Sequence, residues 1–176
     1  SSGLFSSSKL DSVYLGRDII KCDYSPFLNQ SKLSSVIISN KVKYICSHAF
    51  EGCTSLPKVI IPNSVTKIDN FAFNGCTSLK ELNFEDGGST LSLGYNSNSS
   101  SKGLGLLYDC PLERIYLGRN ITYSTEKANG YSPFYGNTTL NSVTIGNTVT
   151  KIEDYAFGDC SSLKFVKIGS GVLSIG

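Results

Sequence analysis

Histidine is nearly absent from this chain of 176 residues: His48 is the only one, and there is no methionine and no tryptophan. No Cys-x-x-Cys pair occurs, which removes the commonest zinc-ligand spacing, and nothing resembles a nucleophile elbow or a phosphate-binding loop. The acidic residues Asp86, Asp109 and Asp154 stand alone or beside turn residues, so no acid–base pair is on offer. No block of basic residues exists either; 16 Lys and Arg are spread among 14 Asp and Glu, for a net charge of +2. Nucleic acid is therefore excluded as an expected partner. No apolar run approaches the roughly 18 residues of a membrane span, and the opening SSGLFSSSKL lacks the basic start and apolar stretch of a signal peptide. We expect no enzyme, no cofactor, no metal and no membrane insertion from this stretch of chain.

What the sequence has is repetition. Leu10, Leu33, Leu56 and Leu79 are 23 residues apart; Leu112 follows after 33, Leu140 after 28 and Leu163 after 23. That spacing makes seven units with two insertions. Around each Leu, apolar residues stand three and five positions later, a Gly or Pro turn follows in most units, and Val and Ile come next. Units close on Pro26-Phe27, Ala49-Phe50, Ala72-Phe73, Pro133-Phe134 and Ala156-Phe157, with Leu106-Leu107 at the remaining boundary. β-Branched residues at alternate positions, recurring once per unit, describe short strands that stack coil on coil. The fold class is a β-rich solenoid forming one domain over residues 1–176, with insertions near 85–105 and 124–129. TLSLGY in the first insertion reads as a short extra strand, and the NSNSSSKG that follows reads as a mobile tip. A longer period overlies the short one: LDSVYLGRDI from Leu10 resembles LERIYLGRNI from Leu112. Because the chain opens and closes inside a repeat, it is expected to be part of a longer protein.

The unit C-[TS]-S-L-x-x-V-x-I-[PG]-x-x-V-T-x-I-x-x-x-A-F resembles the leucine-rich repeat of the BspA-like, or Treponema pallidum, type, and is most similar to versions from Bacteroides-like gut bacteria. The resemblance implies a curved solenoid with a parallel sheet on its concave side, located outside the bacterial cell or on its surface, that binds proteins of a host or neighbouring cell. The sixth unit carries Asn137 where others carry Cys, and the second carries Gln30.

Cys53, Cys76 and Cys160 share one position of the repeat and Cys110 lies one residue off it, so they are expected as buried structural thiols, with a Cys53–Cys76 bridge within geometric reach. Cys22 falls at an inward position. Cys46 aligns with Asp69 and Glu153 and is expected to be an exposed thiol. His48 reads as a packing or surface residue.

The candidate binding surface comes from strand alternation. If the third and fifth residues after each Leu face the core, the second and fourth face solvent. Those columns hold Tyr14, Ile37, Ile60, Tyr116 and Lys167, and Lys58, Arg114 and Phe165. Exposed apolar and aromatic side chains beside Arg are typical of recognition surfaces. A protein ligand is expected to bind there to a monomer, with a glycan as a second class of ligand and a plain structural spacer as the alternative role.

Overall fold

Branched apolar residues three and five positions beyond each repeat Leu give a strand one buried face, and this builds the molecule. The computed structural model describes residues 4–5, 7–18, 25–94, 105–124 and 132–176. After each of the seven Leu runs a strand of a broad sheet: β1 (Ser12–Leu15), β2 (Ser35–Ile38), β4 (Lys58–Ile61), β6 (Glu81–Phe84), β8 (Arg114–Leu117), β10 (Ser142–Ile145) and β12 (Phe165–Lys167). A narrower set of strands follows behind: β3 (Tyr44–Ile45), β5 (Lys67–Ile68), β7 (Leu91–Leu93), β9 (Ile121–Thr122), β11 (Lys151–Ile152) and β13 (Ser174–Ile175). No helix occurs among the described residues.

All pairings are parallel and in repeat register. Val59 lies opposite Leu82, Leu82 opposite Ile115, Ile115 opposite Val143 and Val143 opposite Val166. One continuous core runs between the two strand sets, with Leu33, Leu56, Leu79, Leu112 and Leu140 all fully buried. TLSLGY does form a strand, β7, but it takes the regular place of its coil in the narrow sheet, between β5 and β9. The segments 95–104 and 125–131, in which the proposed mobile tip and the second insertion largely fall, lie outside the described residues, as does Cys22.

The closing Phe residues form a stack. Ring centroids of Phe5 and Phe27 are 5.7 Å apart, Phe27 and Phe50 5.2 Å, and Phe50 and Phe73 5.4 Å, all nearly parallel. Leu106 and Leu107 interrupt the stack, which resumes with Phe134 and Phe157 at 5.6 Å. Two residues beyond each ring the chain turns through a left-handed backbone, at φ 70° for Gly52 and 69° for Gly75. Glycine takes that conformation without a Cβ penalty, and a Cβ on Gly52 would also fall 2.1 Å from the Asn29 Oδ1.

The cysteines depart from expectation in two ways. Cys53 and Cys76 are free thiols, with no bridge between them. Each thiol instead donates to the carbonyl of the Phe that closed the coil before: Cys53 to Phe27 at 3.2 Å, Cys76 to Phe50 at 3.2 Å, Cys110 to Phe73 at 3.1 Å and Cys160 to Phe134 at 3.2 Å. Burial pushes the Cys53 thiol up to about 12. Gln30 fills the same role, donating from Nε2 to the Phe5 carbonyl at 2.7 Å. Cys46 is not exposed: it is 2% accessible and disulfide-bonded. At the aligned positions Asp69 and Glu153 are held toward solvent by Lys67 at 2.9 Å and Lys151 at 2.6 Å. Cys46 has no such pull, and tied into its disulfide it packs into the core.

The longer period also has a structural meaning. The turn from β4 to β5 takes residues 62–66, whereas β8 to β9 takes only Gly118, Arg119 and Asn120. Arg119 turns inward and is fully buried, donating to the carbonyls of Asn63 (2.9 Å), Val65 (2.6 Å) and Pro62 (2.9 Å). Beside it, the Asn120 Oδ1 accepts from the amides of Thr150 and Lys151, as the Asp18 Oδ1 accepts from Lys43 and Tyr44. In neighbouring coils a main-chain carbonyl does this work: Lys43 O takes Thr66 N at 2.8 Å.

The broad sheet is broken once. β1 and β2 form one sheet and β4 to β12 another; β2 and β4 are not paired. The residues before and after β4 are Pro57 and Pro62, which have no N–H to donate.

Two stability outcomes follow. Leu56→Ala, at a fully buried site, loses about 2–5 kcal/mol in denaturant unfolding, while Tyr14→Ala on the outer face loses less than about 1 kcal/mol. Arg119→Met, which keeps bulk but no donors, loses about 1–3 kcal/mol because the Val65 carbonyl is left buried and unpaired, while Pro62 O keeps the Val65 amide at 3.1 Å and Asn63 O keeps the Ser89 hydroxyl at 3.4 Å; an unchanged midpoint would show that water replaces the guanidinium.

Candidate interaction surface

Since the third and fifth positions beyond each Leu are spent on the core, the second and fourth form the outer face of the broad sheet. Tyr14 is 71% exposed, Ile37 59%, Ile60 43% and Phe165 55%. Tyr14 and Ile37 are directly paired in register, so two large apolar side chains stand side by side in water, with Ile60 next in the row across the break. The break itself opens as a groove of about 400 Å³ bordered by Ile37, Ile60, Pro57 and Pro62, with Lys58 and Glu85 also at its margin.

The charged residues of this face are organised differently. Lys58, Glu81 and Arg114 lie opposite one another on β4, β6 and β8. The Lys58 ammonium is 3.1 Å from Glu81, and Arg114 donates to the other Glu81 oxygen from Nε at 2.8 Å and again from Nη2. Arg114 also meets Glu113 at 3.4 Å, and Lys80 meets Glu113 at 2.7 Å. Hydrogen bonds from Arg114, then Lys58, hold the Glu81 carboxyl below the usual range; Lys80 does the same for Glu113. Lys58 and Arg114 are therefore exposed cations already neutralised by their neighbours. Tyr116 is half-buried and donates to the Asp86 Oδ1 at 2.7 Å, which raises its hydroxyl pKa. Phe165 and Lys167 lie on β12, beyond Ser142 and Thr144; Lys167 makes no ion pair among the described residues.

The eight candidates are thus one face but three environments: an apolar row of Tyr14, Ile37 and Ile60, a self-neutralised lattice around Lys58, Arg114 and Tyr116, and the pair on β12. Column counting places Glu81 in line with Lys58 and Arg114 without pairing them, and passes over Asp86; these two carboxylates decide whether the cations and Tyr116 are free. Opposite signs at adjacent repeats in one column, Lys58, Glu81 and Arg114, are the signal for that lattice.

Elsewhere the chemistry is modest. His48 stacks on Phe71 with centroids 4.7 Å apart, and its Nδ1 lies 2.5 Å from the Glu51 carboxylate. Among the described residues no group of three or more His, Cys, Asp or Glu is placed to hold a metal ion, and no helix is long and apolar enough to cross a membrane.

Comparison with known proteins gives the same architecture. The family described as the BspA type leucine rich repeat region matches in six copies, over residues 1–132 and 92–176. The chain belongs to this family. A leucine-rich repeat protein of T. pallidum is similar in structure, with a TM-score of 0.61 at 24% identity over 96% of this chain and 74% of that one; at that identity the likeness shows the fold. Weaker similarities are found to a leucine-rich repeat protein from Bacteroides ovatus (TM-score 0.48, 20% identity, 96% of this chain and 45% of that one). A leucine rich cell surface protein from Faecalibacterium prausnitzii gives a TM-score of 0.34 at 17% identity, over 94% of this chain and 61% of that one. No curated protein matches the sequence.

Within this BspA-type solenoid the Glu81 pair predicts a pH effect. A carboxyl whose folded pKa is depressed adds stability above its unfolded value, near 4.5, and loses it as pH falls through the lower folded value. Glu81→Gln is expected to flatten the acid limb of the stability profile below about pH 4.5. The difference from the unmodified chain should shrink at high salt, because the pair is solvent-exposed; an unchanged limb would mean the lattice contributes nothing to folding.

Proposed function

We propose that this chain is a non-enzymatic protein-binding module, displayed outside the cell, that engages a protein through the outer face of its broad sheet. The observation that carries the reading is the row of Tyr14, Ile37 and Ile60, large apolar side chains held in solvent on a regular strand lattice. A folded protein has little reason to keep such a row uncovered unless something covers it. The row is presented on stacked coils whose backbone is already hydrogen-bonded, so little ordering entropy is lost on contact. Leucine-rich repeat domains commonly serve as protein-interaction modules, which agrees with this use of the face. The disulfide at Cys46 supports an oxidising, extracytoplasmic setting.

The test is a binding screen of the chain against immobilised extracellular-matrix proteins, mucin and a glycan array, beside the variant Tyr14→Ala/Ile37→Ser/Phe165→Ala. All three sites are exposed, so the variant should unfold at the same midpoint as the parent. Protein binding that the variant loses supports the reading. Glycan-only binding makes this a carbohydrate-binding face instead, and silence on every surface leaves a spacer as the function.

A further inference from the structure

In the strand pairs β1/β2, β4/β6, β6/β8 and β8/β10, the rungs at the two ends come from the residue just before the later strand and the residue just after it. Ser34 N donates to Asp11 O at 3.0 Å and Ser39 N to Leu15 O at 2.9 Å; Lys80 N donates to Pro57 O at 2.9 Å and Glu85 N to Ile61 O at 3.0 Å. Glu113 and Gly118 repeat the arrangement one coil later, each at 2.8 Å. For β4 the two donors would be residues 57 and 62, and both are proline. The carbonyls of Ser34 and Ile38 are left without those partners. The coils are nonetheless joined behind, where β3 pairs with β5 and the rings of Phe27 and Phe50 stack at 5.2 Å. The seam is therefore held open at the outer face while the core beneath it stays closed.

Resting on the protein-binding reading above, we propose that this seam is a peptide-binding groove: it seats an aliphatic side chain of an extended segment of the protein ligand, with a basic residue of that segment at Glu85. Its volume of about 400 Å³ lies in the range of ligand sites. Val36, Ile37, Ile38 and Ile60 give it aliphatic walls, and no aromatic ring lines it, so the stacking platform a sugar ring would use is missing. The Ser34 and Ile38 carbonyls give it unmet acceptors, neither having a backbone partner among the described residues. An extended peptide brings N–H donors beside an apolar side chain, the combination by which strands are added to sheets with free backbone groups. The charges at the margin point the same way. Lys58 is neutralised by Glu81, whereas the exposed Glu85 has no ion pair among the described residues: its Oε2 accepts the Asn63 amide at 3.3 Å, and the nearby Arg119 is bonded to carbonyls. Two free carbonyls and a carboxylate make a groove that complements a donor-rich, positively charged segment.

The experiment pans short random peptides displayed on phage against the immobilised chain, then measures the enriched peptides against variants by fluorescence anisotropy. Pro57→Lys/Pro62→Gly brings in residue types that other coils use at these places and restores both amides. Hydrogen exchange at positions 57 and 62 shows whether the seam has closed. The expected result is enrichment of an aliphatic residue near Lys or Arg. Affinity should fall at least about tenfold in the closed variant and become less salt-dependent in Glu85→Gln, while Tyr14→Ala/Phe165→Ala binds as the parent does. Peptides without that composition, no enrichment at all, or undiminished binding to the closed variant each overturn the groove. If binding persists in the closed variant but is lost in Tyr14→Ala/Phe165→Ala, the groove fails and the broad-face reading survives; proteins that bind the chain but not through either set remove both.

Discussion

No coil of this protein can satisfy itself. Each presents an apolar face and a row of backbone donors and acceptors that only the adjacent coil can meet, and the parallel register between coils is the constraint on which the rest depends. The repeat Leu residues, the Phe stack and the buried thiols all serve that register. The thiols show it most plainly: a cysteine or glutamine at one position ties its coil to the closing Phe of the coil before, through one donor and one carbonyl. A disulfide between Cys53 and Cys76 would have removed the S–H donors from two such ties.

The constraint also explains the places where the chain departs from its period. With the turn between β8 and β9 cut to three residues, Arg119 reaches into an earlier coil, pairs the Val65 carbonyl and adds a second bond at Pro62 and Asn63. Burial lowers the Arg119 pKa while the charge of Glu85 opposes that shift, so a cation is kept inside by carbonyl dipoles and an acidic neighbour. Asn120 and Asp18, one residue further along in the two similar stretches, replace a main-chain acceptor with a side-chain one. The long-period resemblance of LGRDI to LGRNI is in this sense a resemblance of hydrogen-bonding solutions.

Most of the fold was legible in the spacing, because a period of 23 with apolar residues at fixed offsets leaves few other ways to bury them. The inward and outward columns follow from strand alternation and hold from β1 to β10; in the last coil the inward Val166 and Ile168 are exposed, having no further coil to cover them. What the spacing could not show were partners across coils. Cys46 was misplaced because lysines hold Asp69 and Glu153 of its column toward solvent, whereas Cys46 is one half of a buried disulfide. Lys58 and Arg114 were expected on the binding face, but Glu81, one repeat from each, is paired with both. The seam was written in the sequence as the two prolines flanking KVII, but in a single unit each reads as an ordinary turn or strand boundary; its effect appears only when the rungs it removes are counted against the coils on either side.

That removal bears on how a rigid solenoid distinguishes its ligands. A continuous parallel sheet offers a partner side chains alone, since its backbone groups are spent internally. Replacing two donors by proline keeps the strand, its buried Val59 and Ile61 and the core beneath, yet frees carbonyls at the surface without fraying an edge. The cost is confined to the outer face because β3 and β5 remain paired behind it. The exposed row of Tyr14, Ile37 and Ile60 crosses the seam at that point, so apolar area and unmet acceptors coincide, whereas the neighbouring face around Glu81 has its charges already met. A ligand contacting the whole face would gain most where the chain's own coils have been kept from completing their bonds.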